Sequence, residues 1–405
     1  MHERYAMQTV FRSPIIGAVS LEMIAKMLKK TLTSAMLALT ALVSFNVQAE
    51  EEEKVLYVYN WSEYMEPSVI PQFEKETGIK VTYDVFDSNE VLEAKLLSGK
   101  SGYDLVGPGS DFLAHQIAAG VFRPLEKEKM PNLKYNDPEK MKALAKVDPG
   151  NKYAVPYMYG TTGIAYDKNK IKKYLGEDFV VDSWDVFFKP EILSKLKTCG
   201  VAVLNAPTEI IPTAMHYLGL DPLSTNIKDY EPAEKLLSEM AKNVTYFHSS
   251  QLVNDMATGD LCIVIAWSGD LIQAGRRARE ANNGVDIEYI VPKEGGLIYY
   301  DTLAIPKDAD HPQNAQLFIN FLNRPEILSR ISSYIAFASA NMEAEKLVVD
   351  EVKNNPHIYL PPEMMPKMFM VKPLSPKLTR GITKMWDRIK VSGGRDSSKD
   401  EKDEE

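Results

Sequence analysis

From residue 55 onward, short β-branched and aromatic runs alternate with stretches of helical spacing, and glycine follows several of the helices. Residues 55–59 read as a strand, 68–76 as a helix stopped by Gly78, and 79–86 as a second strand. Ser88 can cap a helix that reaches Leu97 before Gly99. Residues 103–106 form a short buried strand, and 111–119 a helix ended by Gly120. A second series follows: strand 201–204, helices 210–218 and 230–242, strand 261–266 and helix 271–281. Residues 285–291 are extended up to Pro292, and 313–322 and 327–334 are helical. This alternation predicts an α/β architecture with mostly parallel sheets covered by helices on both faces. Residues 153–168 read differently, as two extended pieces broken at Gly160 and Gly163 that cross into a second domain. A length of 405 residues accommodates two domains.

In open α/β sheets, ligands bind beyond the carboxyl ends of the strands. Four loops fall there: 61–64, 107–111, 205–209 and 267–270. Two of them pair an aromatic ring with an acid. Trp61, Ser62, Glu63 and Tyr64 follow the first strand, and Trp267, Ser268, Gly269 and Asp270 follow a later one. Tyr299, Tyr300 and Asp301 repeat the pairing near the start of a run that ends at Ile305. A ring face attracts a cation and a carboxylate pairs with one, so these segments predict walls of a pocket for an organic cation. Plainer readings stand beside this one. Asp270 and Asp111 begin helices, where an acid caps the backbone. Glu209 can complement a helix N-terminus, and Trp61 and Tyr64 can be packing aromatics. Asp301 is harder to explain away, because Asp is depleted in strands.

Apolar residues make up 45% of the chain, enough for a sizeable core. The only long apolar stretch is 31–45, preceded by Lys29 and Lys30 and followed by Val47, Gln48 and Ala49. That pattern predicts a secretory signal over 27–49, with 1–26 an extension from a start codon called too early. A buried N-terminal helix is the alternative. The formal net charge is −9, and the first 49 residues carry five basic and only two acidic side chains, so the exported chain is more acidic still. Nucleic acid is excluded as a natural partner, whereas a cation would be attracted at long range. The tail 393–405 is acidic and polar and is expected to be disordered. Cys199 and Cys262 are the only cysteines. In an exported chain they read as one disulfide, with two buried thiols as the alternative. There is no G-x-S-x-G or H-E-x-x-H motif and no histidine cluster to indicate an enzyme, although aromatic platforms with paired carboxylates also suit a glycoside hydrolase.

Several segments carry a family resemblance: Tyr59-Asn60-Trp61-Ser62, the run from Phe73 to Val81, Asp87 to Glu93, Tyr246 to Gln251, Trp267-Ser268-Gly269-Asp270 and Pro292-Lys293-Glu294-Gly295. In these, and over about residues 55–390, the chain resembles the periplasmic putrescine- and spermidine-binding proteins of bacterial polyamine ABC importers, the putrescine-binding branch most of all. The resemblance implies a two-lobed type II periplasmic binding fold that closes on its ligand, with no catalysis and no cofactor. Lobe 1 is then expected at 54–158 plus 292–335 and lobe 2 at 162–288 plus 342–392. It implies a periplasmic monomer that hands a polyamine to an inner-membrane ABC permease. A sensor that signals through a membrane receptor is the alternative. Ligand residues carried over are Trp61, Ser62, Tyr64, Glu209, Trp267, Asp270, Tyr299, Asp301 and Phe337, and Cys199 and Cys262 match a disulfide pair. Four positions, Glu63, Gly109, Ser110 and Asp111, are marked for specificity. Glu63 replaces an Asp. Gly109 stands where relatives have Ser, with Ser110 beside it able to supply the hydroxyl. Asp111 adds an acid where relatives are neutral, which favours a longer or more highly charged amine. Phe337 stands where they have Tyr.

Overall fold

The protein is described here by a computed structural model covering residues 52–372 and 374–393. The expected extension and signal, 1–49, and the tail beyond Gly393 lie outside the described residues. Among the described residues ten strands form: β1 Val55–Trp61, β2 Lys80–Phe86, β3 Leu105–Val106, β4 Ala154–Asp167, β5 Val201–Val203, β6 Tyr246–Phe247, β7 Ile263–Trp267, β8 Ile287–Ile290, β9 Ile298–Ala304 and β10 Ala338–Ser339. Their order is β2-β1-β3-β9-β4-β7-β5-β6, with β8 and β10 also paired to β4.

The two wings are parallel, as the strand–helix alternation requires. β1 runs with β2 and β3, and β5 runs with β6 and β7. The centre is antiparallel. β4 opposes β7, β8, β9 and β10, and β3 opposes β9. The sheets are therefore mixed, because the long central strand meets neighbours that return against it.

β4 is one continuous strand of 14 residues and not two broken pieces. Its glycines serve close approach. A Cβ on Gly160 would stand 2.6 Å from the Tyr299 hydroxyl and 2.7 Å from the Phe337 ring, so the neighbouring aromatics need that position bare. The first half of β4 is flanked by β9 and β10, and the second half by β7 and β8. The change of partners falls between Thr161, opposite Ile298, and Thr162, opposite Trp267. Two large cores follow from this division. One gathers Leu56, Phe73, Tyr157, Phe318 and Ile331. The other gathers Trp184, Phe187, Ile211, Ile265 and Trp386. Trp267 packs against both.

Local signals set the helix ends. Gly78 closes Val69–Thr77 at φ 73°, in the left-handed region that glycine tolerates. The Ser88 hydroxyl accepts from Val91 N–H at 3.3 Å and starts Asn89–Leu97. Asp111 and Asp270 are not caps. Their helices, Ser110–Ala118 and Ser268–Ala281, are preceded by Gly109 and Trp267, so both acids sit inside the first turn. The helix Pro376–Ser392 buries Leu378, Ile382, Met385, Trp386 and Ile389, an apolar stripe at helical spacing that seals the second core. Cys199 and Cys262 form a disulfide across 63 residues of sequence. Closing a loop of that length stabilises by about 4 kcal/mol in the chain-entropy account. Among the described residues no helix is long and apolar enough to cross a membrane.

Candidate functional site

The strand ends named from the sequence meet at a single cavity of about 240 Å³. β1 ends at Trp61, and the backbone of Ser62 still hydrogen-bonds Phe86 at the end of β2. The chain then turns through Glu63 at φ 56° and drops Tyr64 into the core. β7 ends at Trp267, and the first turn of Ser268–Ala281 presents Asp270. On β9 the two-residue period puts Tyr299 and Asp301 on the cavity side, while Tyr300 turns away to pack on Tyr159 at 5.7 Å.

The cavity is lined by Trp61, Ser62, Glu63, Tyr64, Ser110, Asp111, Glu209, Trp267, Asp270, Tyr299, Asp301 and Phe337, all positions singled out from the sequence. Gly109 is the exception. It lies behind the wall, where its N–H donates to the Asn89 side chain at 3.0 Å and its backbone bridges to Asp301. The rings stand edge to face. Trp61 and Trp267 are 6.0 Å apart, and Tyr64 lies 5.0 Å from Phe337.

Each acid is held differently. The Tyr64 hydroxyl donates to Asp301 at 2.6 Å. Glu209 accepts from the Thr162 hydroxyl at 2.6 Å and from the Trp267 indole N–H at 3.0 Å. Asp111 accepts from the Asn89 amide at 3.1 Å. Asp270 accepts no side-chain hydrogen bond among the described residues. Among the described residues, no Lys, Arg or His forms an ion pair with any of the four.

Burial pushes all four carboxyls up, because a low-dielectric wall disfavours the charged form. Asp301 rises to about 7, with Asp111 and Asp270 adding to burial and Tyr64 opposing it. Glu209 rises to about 7 despite its two donors. Asp270 reaches about 7, raised further by Glu63 and opposed by Arg277. Asp111 reaches about 8, with Glu209 and Glu90 adding to burial and the backbone amides of its own helix opposing it. The Tyr299 hydroxyl and the Trp61 indole N–H are buried without a hydrogen-bond partner. Such a cavity can bind a cation with apolar flanks, and the Tyr299 hydroxyl oxygen has a lone pair to accept from one, whereas the Trp61 N–H can only donate.

A model of the bacterial extracellular solute-binding protein family matches residues 68–360. The chain belongs to that family. It is 51% identical to the putrescine-binding periplasmic protein PotF of Escherichia coli over 84% of this chain and 92% of that protein. It is 48% identical to the putrescine-binding periplasmic protein SpuD of Pseudomonas aeruginosa over 89% of this chain and 99% of that one. A solved structure of a spermidine/putrescine ABC transporter protein from Listeria monocytogenes matches with a TM-score of 0.74 at 29% identity, over 84% of this chain and 99% of that one. The fold is thus the type II arrangement of periplasmic solute-binding proteins, and the hydrolase alternative falls with it.

In this solute-binding protein the sequence reading missed residues that set the site's electrostatics. Thr162 and Asn89 hold two of the acids, and Asp87 accepts from the Ser62 hydroxyl at 2.6 Å. Arg277 pairs with Glu63 at 2.9 Å and hydrogen-bonds Asn254 at 3.1 Å at the cavity edge. Arg277 lies seven residues after Asp270 on one helix, two turns along the same face, so helical spacing could have flagged it. Nothing local marks Thr162 or Asn89; only the packing brings them to the acids.

Proposed function

We propose that this protein captures a protonated polyamine in the periplasm and delivers it to the permease of an ABC importer. The ligand is putrescine or a relative such as spermidine, agmatine or cadaverine. One observation carries the reading: four carboxylates converge in an aromatic cavity, and no basic side chain of the described residues forms an ion pair with them. An uncompensated buried charge is costly, and an organic cation removes that cost. Methylene groups between Trp61, Tyr64, Trp267 and Tyr299 contribute about 0.8 kcal/mol each on burial. Asp270, Asp301 and Glu209 hold the ammonium ends. An ammonium has three donors, so the open Tyr299 hydroxyl and Ser62 complete its shell. The names of the relatives support the same class.

Delivery requires opening and closing. We place lobe 1 at 54–158 plus 292–335 and lobe 2 at 162–288 plus 342–392, hinged near 158–163, 289–292 and 336–341. Calorimetric titration of the exported chain with putrescine, cadaverine, agmatine, spermidine and spermine tests the reading. Heat of binding and a raised melting temperature with at least one of them are expected, since a ligand of the native state stabilises it. No heat and no thermal shift with any of the five would sink it.

A further inference from the structure

We infer that Asp111 is a third cation subsite, which makes this protein favour a triamine over a diamine. The inference rests on the polyamine reading above and names the ligand within that class. A diamine has two ammonium groups. Asp270, Asp301 and Glu209 already exceed what it needs, and Asp111 adds a fourth carboxylate to the same wall. With a diamine bound, Asp111 is left without a cation partner in a desolvated place. The side chain is not consumed by structure. Its one side-chain partner among the described residues is the Asn89 amide, which donates to Oδ1 at 3.1 Å, and no basic side chain of the described residues pairs with it.

The space beyond Asp111 fits an extra amine arm. A second cavity of about 260 Å³ opens there, and Asp111 and Val371 line both cavities. An amine too long for the first cavity runs past Val371 with Asp111 beside it. The charges beyond that point change sign. Lys372 and Arg380 line the second cavity, and Glu93 there is occupied by His115, whose Nδ1 stands 2.7 Å from Oε1. Thr208 and Thr379 supply hydroxyls but no charge. A third ammonium therefore stops at Asp111, and a fourth meets two basic side chains. The order expected is triamine above diamine and above tetraamine.

Calorimetry with putrescine, spermidine and spermine reads this directly. Wild type binds spermidine at least tenfold more tightly than putrescine or spermine, and Asp111→Asn lowers the spermidine-to-putrescine affinity ratio at least tenfold. Asp111→Glu retains most of the ratio, because the charge stays. A spermidine analogue with the aminopropyl ammonium replaced by hydroxyl binds wild type at least tenfold more weakly than spermidine, and binds Asp111→Asn about as well as spermidine does. That last comparison is made within each variant, so a general loss of affinity or stability cannot imitate it. A wild type that binds putrescine as tightly as spermidine, or an Asp111→Asn ratio equal to wild type, overturns the subsite and leaves the polyamine reading standing. Failure of every amine to bind wild type overturns the polyamine reading itself, and the subsite with it.

Discussion

Asp301 shows how one residue can look wrong locally and right in place. It stands within β9 at 5% exposure, a position that rarely tolerates a carboxylate. Among the described residues its only side-chain hydrogen bond is the one from Tyr64, and its neighbours Asp111 and Asp270 are also acids. Left alone, this arrangement destabilises the empty protein. With an ammonium against it, the same charge becomes the anchor. Asp301→Asn keeps an acceptor for Tyr64 and removes the charge. It is expected to weaken putrescine binding by about 3–5 kcal/mol. The empty variant should melt at or above wild type at pH 8, because a buried charge has gone. Titration calorimetry and thermal melts check both halves; undiminished affinity would remove Asp301 from the anchor set. The anomaly was legible in the sequence as an acid in an apolar run. Its Tyr64 partner, 237 residues away, was not.

At the scale of elements, the site depends on how closely helix and strand approach. Gly269, in the first turn of Ser268–Ala281, packs directly against the Phe337 ring, and a Cβ there would fall inside the ring's contact surface. Phe337 itself is 3% exposed and leans on Tyr64. Gly269→Ala is therefore expected to cost about 1–3 kcal/mol of stability through overpacking. It should also weaken ligand binding by displacing Phe337 from the wall. Phe337→Leu in the same chain should recover part of the stability, since it removes the atoms that clash. Urea unfolding of the single and double variants reads the effect. The sequence reading took Gly269 only as a loop glycine beside Trp267, and took Gly160 and Gly163 as strand breakers. Their actual use is to let a neighbouring side chain or backbone come close, and which neighbour approaches is decided by the sheet pairing.

For the whole molecule, the four carboxyls act together. Their ordinary values of 3.8 for Asp and 4.5 for Glu move to about 7 for Asp270, Asp301 and Glu209 and to about 8 for Asp111. Between about pH 4 and pH 8 the folded protein thus holds more protons than the unfolded chain, and stability falls as pH rises through that window. On the proposed function a polyamine reverses the preference, since its ammonium groups would pair with the deprotonated carboxylates. Putrescine affinity is expected to increase from pH 6 to pH 8.5, with proton release on binding. The empty protein's melting temperature should decline over the same range. Calorimetry in two buffers of different ionisation enthalpy counts the protons, and an affinity independent of pH would show that the acids do not charge on binding.

The sequence by itself determined the elements and the chemistry of the walls. Alternating apolar runs and helical stretches are local patterns, so β1, β7, β9 and most flanking helices could be read from neighbours along the chain. The aromatic and acidic residues at strand ends were legible for the same reason, and so was the class of ligand they suit. Tertiary structure decided what no local pattern encodes. It made β4 one strand shared by two halves and set Thr162, Asn89 and Tyr64 as donors to three of the four acids, while the Cys199–Cys262 bridge is the one long-range link the sequence already indicated. It also opened a second cavity behind Asp111. These features arise between residues far apart in sequence, where register, close approach and shared desolvation fix both the partners and the charge each group can carry.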